Sequence, residues 1–137
     1  MRKKAYVFLL AAISFVNCTA QSNLDIKGKY CAQENKDNEL TVMFSVVSKT
    51  VYLSYINIVD NGNYINGFDD PSDIAGEFSL SDVHNSEVSV KIKNYRDPDD
   101  EYTVKLKFLD NGKSLSWDIE EEVVAYLPKH AKLTECK

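Results

Sequence analysis

Apolar and polar residues alternate along most of the chain after residue 26. A repeat of two places one set of side chains on the buried face of a β-strand and the other set in water. Sheets that are wet on one face are typically antiparallel. No window after residue 20 has sustained helical periodicity, so the pattern predicts an antiparallel β protein. The apolar sets are Leu40, Val42, Phe44 and Val46; Val51, Leu53, Tyr55 and Val59; Val88, Val90 and Ile92; Tyr102, Val104, Leu106 and Phe108; and Leu115, Trp117 and Ile119.

Two Asn-Gly pairs stand between these runs, at 61–62 and 111–112. Asn-Gly supplies the two positive φ angles of a type I′ turn, so each pair predicts a tight β-hairpin. Longer loops are predicted at 68–73 and 96–100, and a short turn at 48–50.

The runs and turns together predict eight to ten strands. A meander of this length must close or fold over to protect its edge strands. We therefore expect an all-β fold, an antiparallel meander closed into a small barrel or a flattened sandwich. It forms a single β domain over 21–137. The predicted strands lie near 27–33, 39–47, 51–59, 64–68, 74–81, 87–95, 101–109, 114–120 and 122–127, with a short tail near 131–136.

The N-terminus has the pattern of an export signal. Basic residues at 2–4 precede an apolar run over 5–16. That run is too short to span a bilayer, which takes about 20 apolar residues in a helix. A basic start, a short apolar run and a small-residue exit site are typical of a secretory signal peptide. We assign residues 1–20 to the signal peptide, with cleavage after Ala20.

A second interpretation makes Cys18 a lipidated N-terminus. Asn17 precedes it, where lipoprotein signals usually have a small residue, so cleavage after Ala20 is favoured. Both routes export the protein. It would be periplasmic or extracellular, or alternatively a membrane-anchored lipoprotein through Cys18, and no transmembrane segment is predicted in the mature chain.

The mature chain is strongly acidic. The full chain has 16 Lys+Arg and 21 Asp+Glu, a formal charge of −5. Removing residues 1–20 takes away three cations and no acids, so 13 cations against 21 acids leave −8. Such a domain repels nucleic acid and anionic membrane surfaces and attracts cationic partners. We therefore expect no nucleic-acid partner.

Two cysteines remain in the mature domain, Cys31 and Cys136. Exported compartments are oxidising, so we expect a disulfide between them. It would join the first strand to the C-terminal tail and close a loop of roughly 105 residues, for which the chain-entropy model gives about 4–5 kcal/mol. The alternative is two buried free thiols.

The first predicted strand opens with Gly28-Lys29-Tyr30. With the meander that follows, it resembles the Gly-x-Trp start of lipocalin-like (calycin-type) barrels, with Tyr30 in place of the tryptophan. The stretches 126–129 (YLPK) and 131–134 (AKLT) resemble the tails of small exported bacterial proteins of that shape. The resemblance implies a barrel whose open end or cavity binds a ligand, and it implies no particular ligand.

Acidic residues cluster in three turn-like segments. Ca²⁺ takes six to eight oxygen ligands, and the first two clusters could bind it or a cationic partner, although neither has EF-hand spacing. Solvated turns and protection of edge strands explain the same residues without a ligand. The clusters are Asp69, Asp70 and Asp73; Asp97, Asp99, Asp100 and Glu101; and Glu120, Glu121 and Glu122.

The sequence contains no recognisable catalytic or metal-binding motif. Metal sites need three or four converging ligands, and the two histidines, His84 and His130, are far apart in the sequence. No nucleophile elbow, phosphate loop or Rossmann fingerprint occurs. We therefore assign no catalytic residue, no metal and no cofactor.

These observations leave three functional hypotheses. The first is a non-enzymatic exported binding protein, whose ligand is a small apolar molecule in a barrel or a macromolecule on a face. The second is an inhibitor or immunity protein against a cationic cell-wall hydrolase such as a lysozyme, because an acidic domain is steered towards it. The third, a carboxylate-dependent hydrolase, lacks an identifiable acid and base pair.

Overall fold

The computed structural model of the protein describes residues 24–32, 38–59, 64–67, 73–97, 99–122, 124 and 127–137. These residues are mostly strand and turn, with short 3₁₀ segments at Leu80–Asp82 and Asp110–Gly112. The strands are β1 (Lys29–Ala32), β2 (Asn38–Val47), β3 (Thr50–Val59), β4 (Tyr64–Gly67), β5 (Gly76–Ser79), β6 (Glu87–Lys93), β7 (Glu101–Leu109), β8 (Ser114–Ile119) and β9 (His130–Glu135).

The strands form one antiparallel sheet that closes almost completely into a barrel. Their order is β4-β3-β2-β1-β9-β8-β7-β6, and β5 also pairs with β3. β4 lies along the C-terminal half of β3 and β5 along its N-terminal half. The nine described strands therefore occupy eight positions around the barrel, with β5 beside β6 at the last gap. The all-β prediction is confirmed.

The C-terminal strands differ from the prediction. The described residues of the predicted strand 122–127 are not in a strand. Glu121 and Glu122 form a bend, and the Glu121 carboxylate accepts the Thr103 N–H, at 2.9 and 3.0 Å. The predicted short tail is instead a full strand, since β9 pairs with both β8 and β1 and so joins the two ends of the meander.

The turn between β7 and β8 is longer than the two-residue hairpin that Asn-Gly predicts. Asn111 and Gly112 do have positive φ, at 61° and 90°, and Asp110 has it too, at 51°. Four residues therefore connect Leu109 to Ser114. A Cβ on Gly112 would collide with the carbonyl oxygen of Asp25. The other predicted Asn-Gly turn lies outside the described residues.

The inward-facing side chains are mainly aromatic and aliphatic. Tyr30 and Phe44 meet edge to face, with ring centroids 5.7 Å apart. Phe44 is also 5.7 Å from Phe108, and Tyr55 is 6.2 Å from Trp117. The alternation of β3 places Asn57, which is fully buried, on the inward face after Tyr55. Large rings thus fill the described part of the interior.

One end of the barrel is covered by the start of the described chain. Leu24 and Ile26 pack against the core. The Phe44 N–H donates to the Gly28 carbonyl at 2.9 Å, and the Lys27 N–H donates to the Tyr30 hydroxyl at 3.0 Å. We call this the closed end; the turns at 48–49 and 110–113 lie there too.

Cys31 and Cys136 lie within disulfide-bonding distance, with Cα atoms 5.2 Å apart. Cys31 is directly opposite Thr134 in the β1–β9 pair, so Cys136 is its diagonal neighbour. The bond would link residues 105 positions apart and join β1 to the end of β9. Cys18 lies outside the described residues.

Candidate functional site

β4 and β5 are two halves of one interrupted strand. Gly67 ends β4 opposite Ile56, and Gly76 begins β5 opposite Leu53. Two residues of β3 are therefore skipped while the connection between the halves leaves the wall of the barrel. A Cβ on Gly67 would lie 2.5 Å from the β3 backbone, so glycine permits this close approach.

Tyr55 bridges the interruption. Its side chain is fully buried, and its hydroxyl donates to the Lys93 carbonyl at 2.9 Å. The same oxygen accepts the Tyr95 N–H at 3.2 Å. Burial raises the pKa of Tyr55 to about 12, because the phenolate would be desolvated. The hydroxyl therefore ties β3 to β6 across the skipped positions.

A groove of about 560 Å³ lies along the seam between β5 and β6, and we call it the seam groove. Among the described residues, one backbone hydrogen bond crosses this seam, from the Lys93 N–H to the Ala75 carbonyl at 2.9 Å. A Cβ on Gly76 would lie 2.5 Å from the Lys91 carbonyl oxygen, so the two strands touch there. The apolar lining is Ile74, Ala75, Gly76, Phe78 and Val90, and the polar lining is Glu77, Asp82, Ser89, Lys91, Lys93 and Glu101.

Part of the β6 backbone edge faces the seam groove. One end of that edge is hydrogen-bonded to His84 and the other to Ala75. Alternate residues of a strand direct their backbone groups to the same edge. The backbone groups of Ser89 and Lys91 therefore point into the seam groove between these two bonded ends. The Lys91 carbonyl lies against Gly76. The Ser89 groups and the Lys91 N–H are therefore the ones that the groove presents to a ligand.

Charges of both signs surround an apolar floor. All five charged lining residues are exposed: Glu77, Asp82, Lys91, Lys93 and Glu101. Within the described part of the chain, the five charged lining side chains make no ion pair within 4 Å with one another. An apolar lining with a few polar groups above it is typical of a ligand-binding site.

The acidic residues of 97–101 and 120–122 meet at the other end of the barrel. The Glu120 N–H donates to the Thr103 carbonyl at 2.9 Å, and the Glu121 carboxylate accepts the Thr103 N–H. The acidic segment 120–122 is thus bonded to β7 two positions after the other acidic segment ends at Glu101. Residues 94–101 and 119–122 carry seven acids against one cation, Arg96, and we call this the acidic end.

Several predicted site residues at the acidic end also serve the fold. Asp97 accepts the Asp99 N–H at 3.3 Å, and Asp100 accepts the Tyr102 hydroxyl at 2.8 Å. Glu101 lines the seam groove. Within the predicted cluster, Asp97 and Asp100 therefore make local hydrogen bonds, and Glu101 lines the seam groove.

The other predicted acidic cluster is described only in part. Asp69 and Asp70 lie outside the described residues, and the Asp73 backbone carbonyl accepts the Ser54 hydroxyl at 3.0 Å. Among the residues that the structure describes, no group of three or more His, Cys, Asp or Glu side chains is placed to hold a metal ion.

The two histidines are exposed, but His130 is paired. Its Nδ1 lies 2.5 Å from Asp118 Oδ1, and the Ser116 hydroxyl donates to the other Asp118 oxygen at 3.2 Å. The carboxylate lies between hydroxyl and imidazole, whereas a serine nucleophile needs the imidazole beside its hydroxyl. His84 forms a backbone bridge with Glu87.

The alternation pattern does not predict the seam groove. Glu77, Lys91 and Lys93 fall at positions that simply face water in a regular strand. The groove depends on the interruption of a strand, and the sequence signal for that is the pair Gly67 and Gly76. Glycine inside a strand pattern indicates a bulge or a close backbone approach.

No helix among the described residues is long and apolar enough to cross a membrane. Comparisons with protein-family models, with curated proteins and with solved structures find no match to this chain.

Proposed function

We propose that the protein is a non-enzymatic exported binding protein, built on a lipocalin-like barrel, whose ligand occupies the seam groove. The observation that carries this proposal is the groove itself, in which an apolar floor is combined with charges of both signs and strand-pairing groups. A rigid barrel holds these groups in place, so little ordering is needed when a ligand binds.

The packing of the interior favours the groove over a site inside the barrel. Tyr30, Tyr55 and Trp117 are fully buried, and their rings contact other side chains of the core. A small apolar ligand in that part of the barrel would have to displace these rings, which lose packing energy when they move.

The chemistry of the groove favours an amphiphilic ligand with amide or carboxylate groups. Phe78 and Val90 supply apolar contact. Lys91 and Lys93 match a carboxylate, and the backbone of Ser89 matches an amide in the manner of strand addition. A short extended peptide has all of these groups.

Export is part of the proposal. The distance between Cys31 and Cys136 fits a disulfide, and disulfides persist in oxidising compartments. The signal-like pattern over 1–20 supports the same assignment. Release after Ala20 and lipidation of Cys18 are both compatible with a binding role.

Two double variants test the groove. Lys91→Glu with Lys93→Glu reverses the cations of the groove, while Lys29→Glu with Lys132→Glu makes the same charge change at exposed positions of β1 and β9, on the opposite side of the barrel. We expect a panel of short peptides and amphiphilic small molecules to yield a ligand. Its binding should change the backbone NMR shifts of the protein in β5 and β6. The groove variant should weaken its binding at least tenfold, about 1.4 kcal/mol.

The control variant should leave the affinity within about twofold, because exposed charges away from a site contribute little. Equal losses in both variants would mean that the ligand responds only to overall charge. Shifts confined to the resonances of Trp117 and its neighbours would place the ligand inside the barrel and contradict the groove assignment.

The convergence of two acidic loops favours a second candidate, an inhibitor of a cationic cell-wall hydrolase. Asp99, Glu120 and Glu122 are exposed at the acidic end. A concentrated patch of one sign speeds association with an oppositely charged partner. The Glu120 N–H and the Glu121 carboxylate, both bonded to the Thr103 backbone, hold the segment 120–122 against the start of β7, as a rigid inhibitory surface requires.

Association rates with a cationic lysozyme test this candidate. Asp99→Lys with Glu122→Lys should slow association at low salt by about tenfold. The matched control, Asp82→Lys with Glu135→Lys, makes the same charge change at the closed end and should have a much smaller effect. Equal rates for all three proteins at low salt would remove the inhibitor candidate.

A further inference from the structure

Exposed apolar side chains gather on the turn between β2 and β3 at the closed end. Val46 and Val47 are 47% and 57% exposed, and Leu80 is 38% exposed. The Leu80 N–H donates to the Lys49 carbonyl at 2.8 Å, so Leu80 adjoins the same turn. We call Val46, Val47 and Leu80 the apolar tip. Scattered exposed valines are ordinary, but these three residues surround one turn, with Val46 and Val47 on its opposite faces because successive strand residues alternate.

The apolar tip lies outside the core because β2 extends beyond the last core residue of the strand. Val46 continues the inward series of β2, but Phe44 is the last side chain of that series in the core. The tip also has a cation beside it, since Lys49 is part of the turn. A lysine stem can cover apolar surface while its ammonium group reaches polar headgroups.

The chain enters the barrel at this same end. Leu24 and Ile26 pack against the core there, and Asp25 lies against Gly112. Cys18 stands six positions before Leu24, a separation of at most about 20 Å of extended chain. A lipid on Cys18 would therefore hold the closed end towards a bilayer.

The distribution of charge makes this end of the acidic domain the one that an anionic bilayer repels least. The acidic end has seven acids against one cation and would be repelled. The closed end is formally neutral, with four cations and four acids among 24–29, 46–50, 79–83, 109–114 and 135–136. These are Lys27, Lys29, Lys49 and Lys113, and Asp25, Asp82, Asp110 and Glu135.

We propose that the closed end is a membrane-contact surface, with the apolar tip inserted at the headgroup boundary of a phospholipid bilayer. The seam groove and the acidic end then remain accessible. This inference does not depend on the proposed ligand-binding function, because Val46, Val47 and Leu80 do not line the seam groove and the readout is different.

Tryptophan reporters test the proposal in the protein as its host processes it. Val47→Trp places a reporter on the tip, and Ile65→Trp places one at a matched position, since the two native side chains are 57% and 56% exposed. The native Trp117 is buried and contributes the same background to both. The vesicles contain phosphatidylcholine and phosphatidylglycerol, with and without bromine on the acyl chains.

We expect the Val47→Trp emission to move to shorter wavelength with vesicles and to be quenched by the brominated lipid, with no response from Ile65→Trp. The readout reports contact of the tip itself, whether or not Cys18 carries a lipid. If the host releases the chain without lipid, Val46→Ser with Val47→Ser should lower the partition coefficient of the protein between water and vesicles roughly tenfold.

Three results would overturn the proposal. The first is no quenching at position 47, and the second is equal quenching at 47 and 65. The third is a blue shift of the Val47→Trp emission in the absence of vesicles, which increases with protein concentration and is accompanied by a doubled mass of the native protein. That result would make the tip an interface between two copies of the chain.

Discussion

Two buried tyrosine hydroxyls act as connectors in this barrel. Tyr30 donates to the Gly112 carbonyl at 2.5 Å and accepts the Lys27 N–H. Tyr55 makes the equivalent pair of bonds to the β6 side of the interruption. A phenol both donates and accepts, whereas an indole N–H only donates. Tyrosine at position 30 therefore joins the closing segment to the β7–β8 turn in a way that tryptophan cannot.

The buried phenols make the stability fall at high pH. The pKa of Tyr55 is raised to about 12 from 10.0, and burial raises the pKa of Tyr30 as well. Between these values the unfolded chain loses a proton that the folded chain keeps, so rising pH favours unfolding. The stabilisation is complete below pH 10 and is lost towards pH 12, on the order of 2–3 kcal/mol for Tyr55. Urea unfolding at several pH values measures it.

Tyr55→Phe should lower the free energy of unfolding by about 1–3 kcal/mol at neutral pH, because the Lys93 carbonyl and the Tyr95 N–H lose a partner. It should also flatten the decline above pH 10. Tyr52→Phe, on the outer face of the same strand, is the control and should retain the decline. An unchanged pH profile in Tyr55→Phe would assign the decline to other groups.

At the scale of the elements, alternation accounts for most of the sheet and fails where side chains act on the backbone. The runs of β2, β3, β7 and β8 have apolar residues at alternate positions, broken in β3 by Ile56 and Ile58, and their bounds follow closely from sequence. The apolar run after Glu122 looks like a strand, yet the chain bends at 121–122, where the Glu121 carboxylate is bonded to the Thr103 N–H. The pairing of β9 with β1 does not show in the alternation, because it joins residues far apart in sequence, although the expected disulfide already brings these two segments together.

The candidate site was less predictable than the fold for the same reason. Acidic clusters are visible in a sequence, but the structural roles of Asp97 and Asp100 depend on hydrogen bonds that form only after folding. The seam groove depends on an interrupted strand. Its sequence trace is a pair of glycines, and glycine also occurs in ordinary turns.

Gly76 allows β5 and β6 to approach each other closely at the seam. Gly76→Val should push β5 from β6, because a Cβ would lie 2.5 Å from the Lys91 carbonyl oxygen. We expect a loss of about 1–3 kcal/mol and faster hydrogen exchange at the Lys93 N–H. Gly28→Ala is the control, since the nearest atom to its Cβ would be 3.9 Å away. Unchanged exchange at Lys93 in Gly76→Val would show that the seam does not depend on this contact.

At the scale of the whole molecule, the barrel has two chemically different ends. The closed end is neutral with an apolar tip, and the acidic end carries seven acids on two joined loops. The seam groove opens on the wall between them. A protein with this polarity can be oriented on a surface while its side wall and its far end stay available to ligands.

Reduction of the cysteine pair should destabilise the whole barrel. The chain-entropy model gives about 4–5 kcal/mol for a loop of this length, as an upper-end value. The oxidised protein should unfold at a lower urea concentration once reductant is added. Cys31→Ser with Cys136→Ser should match the reduced protein and be indifferent to reductant. A wild-type transition that reductant leaves in place would mean that the thiols are not bonded.

The same cross-link has a mechanical consequence. Tension applied between the segments that flank Cys31 and Cys136 would pass through the sulfur bridge instead of through the 105-residue stretch that it encloses. The load would never reach the strands that form the groove. A protein tethered at one terminus and pulled at the other could therefore keep its binding surface intact under forces that extend an uncrosslinked domain, and a reducing environment would abolish that resistance.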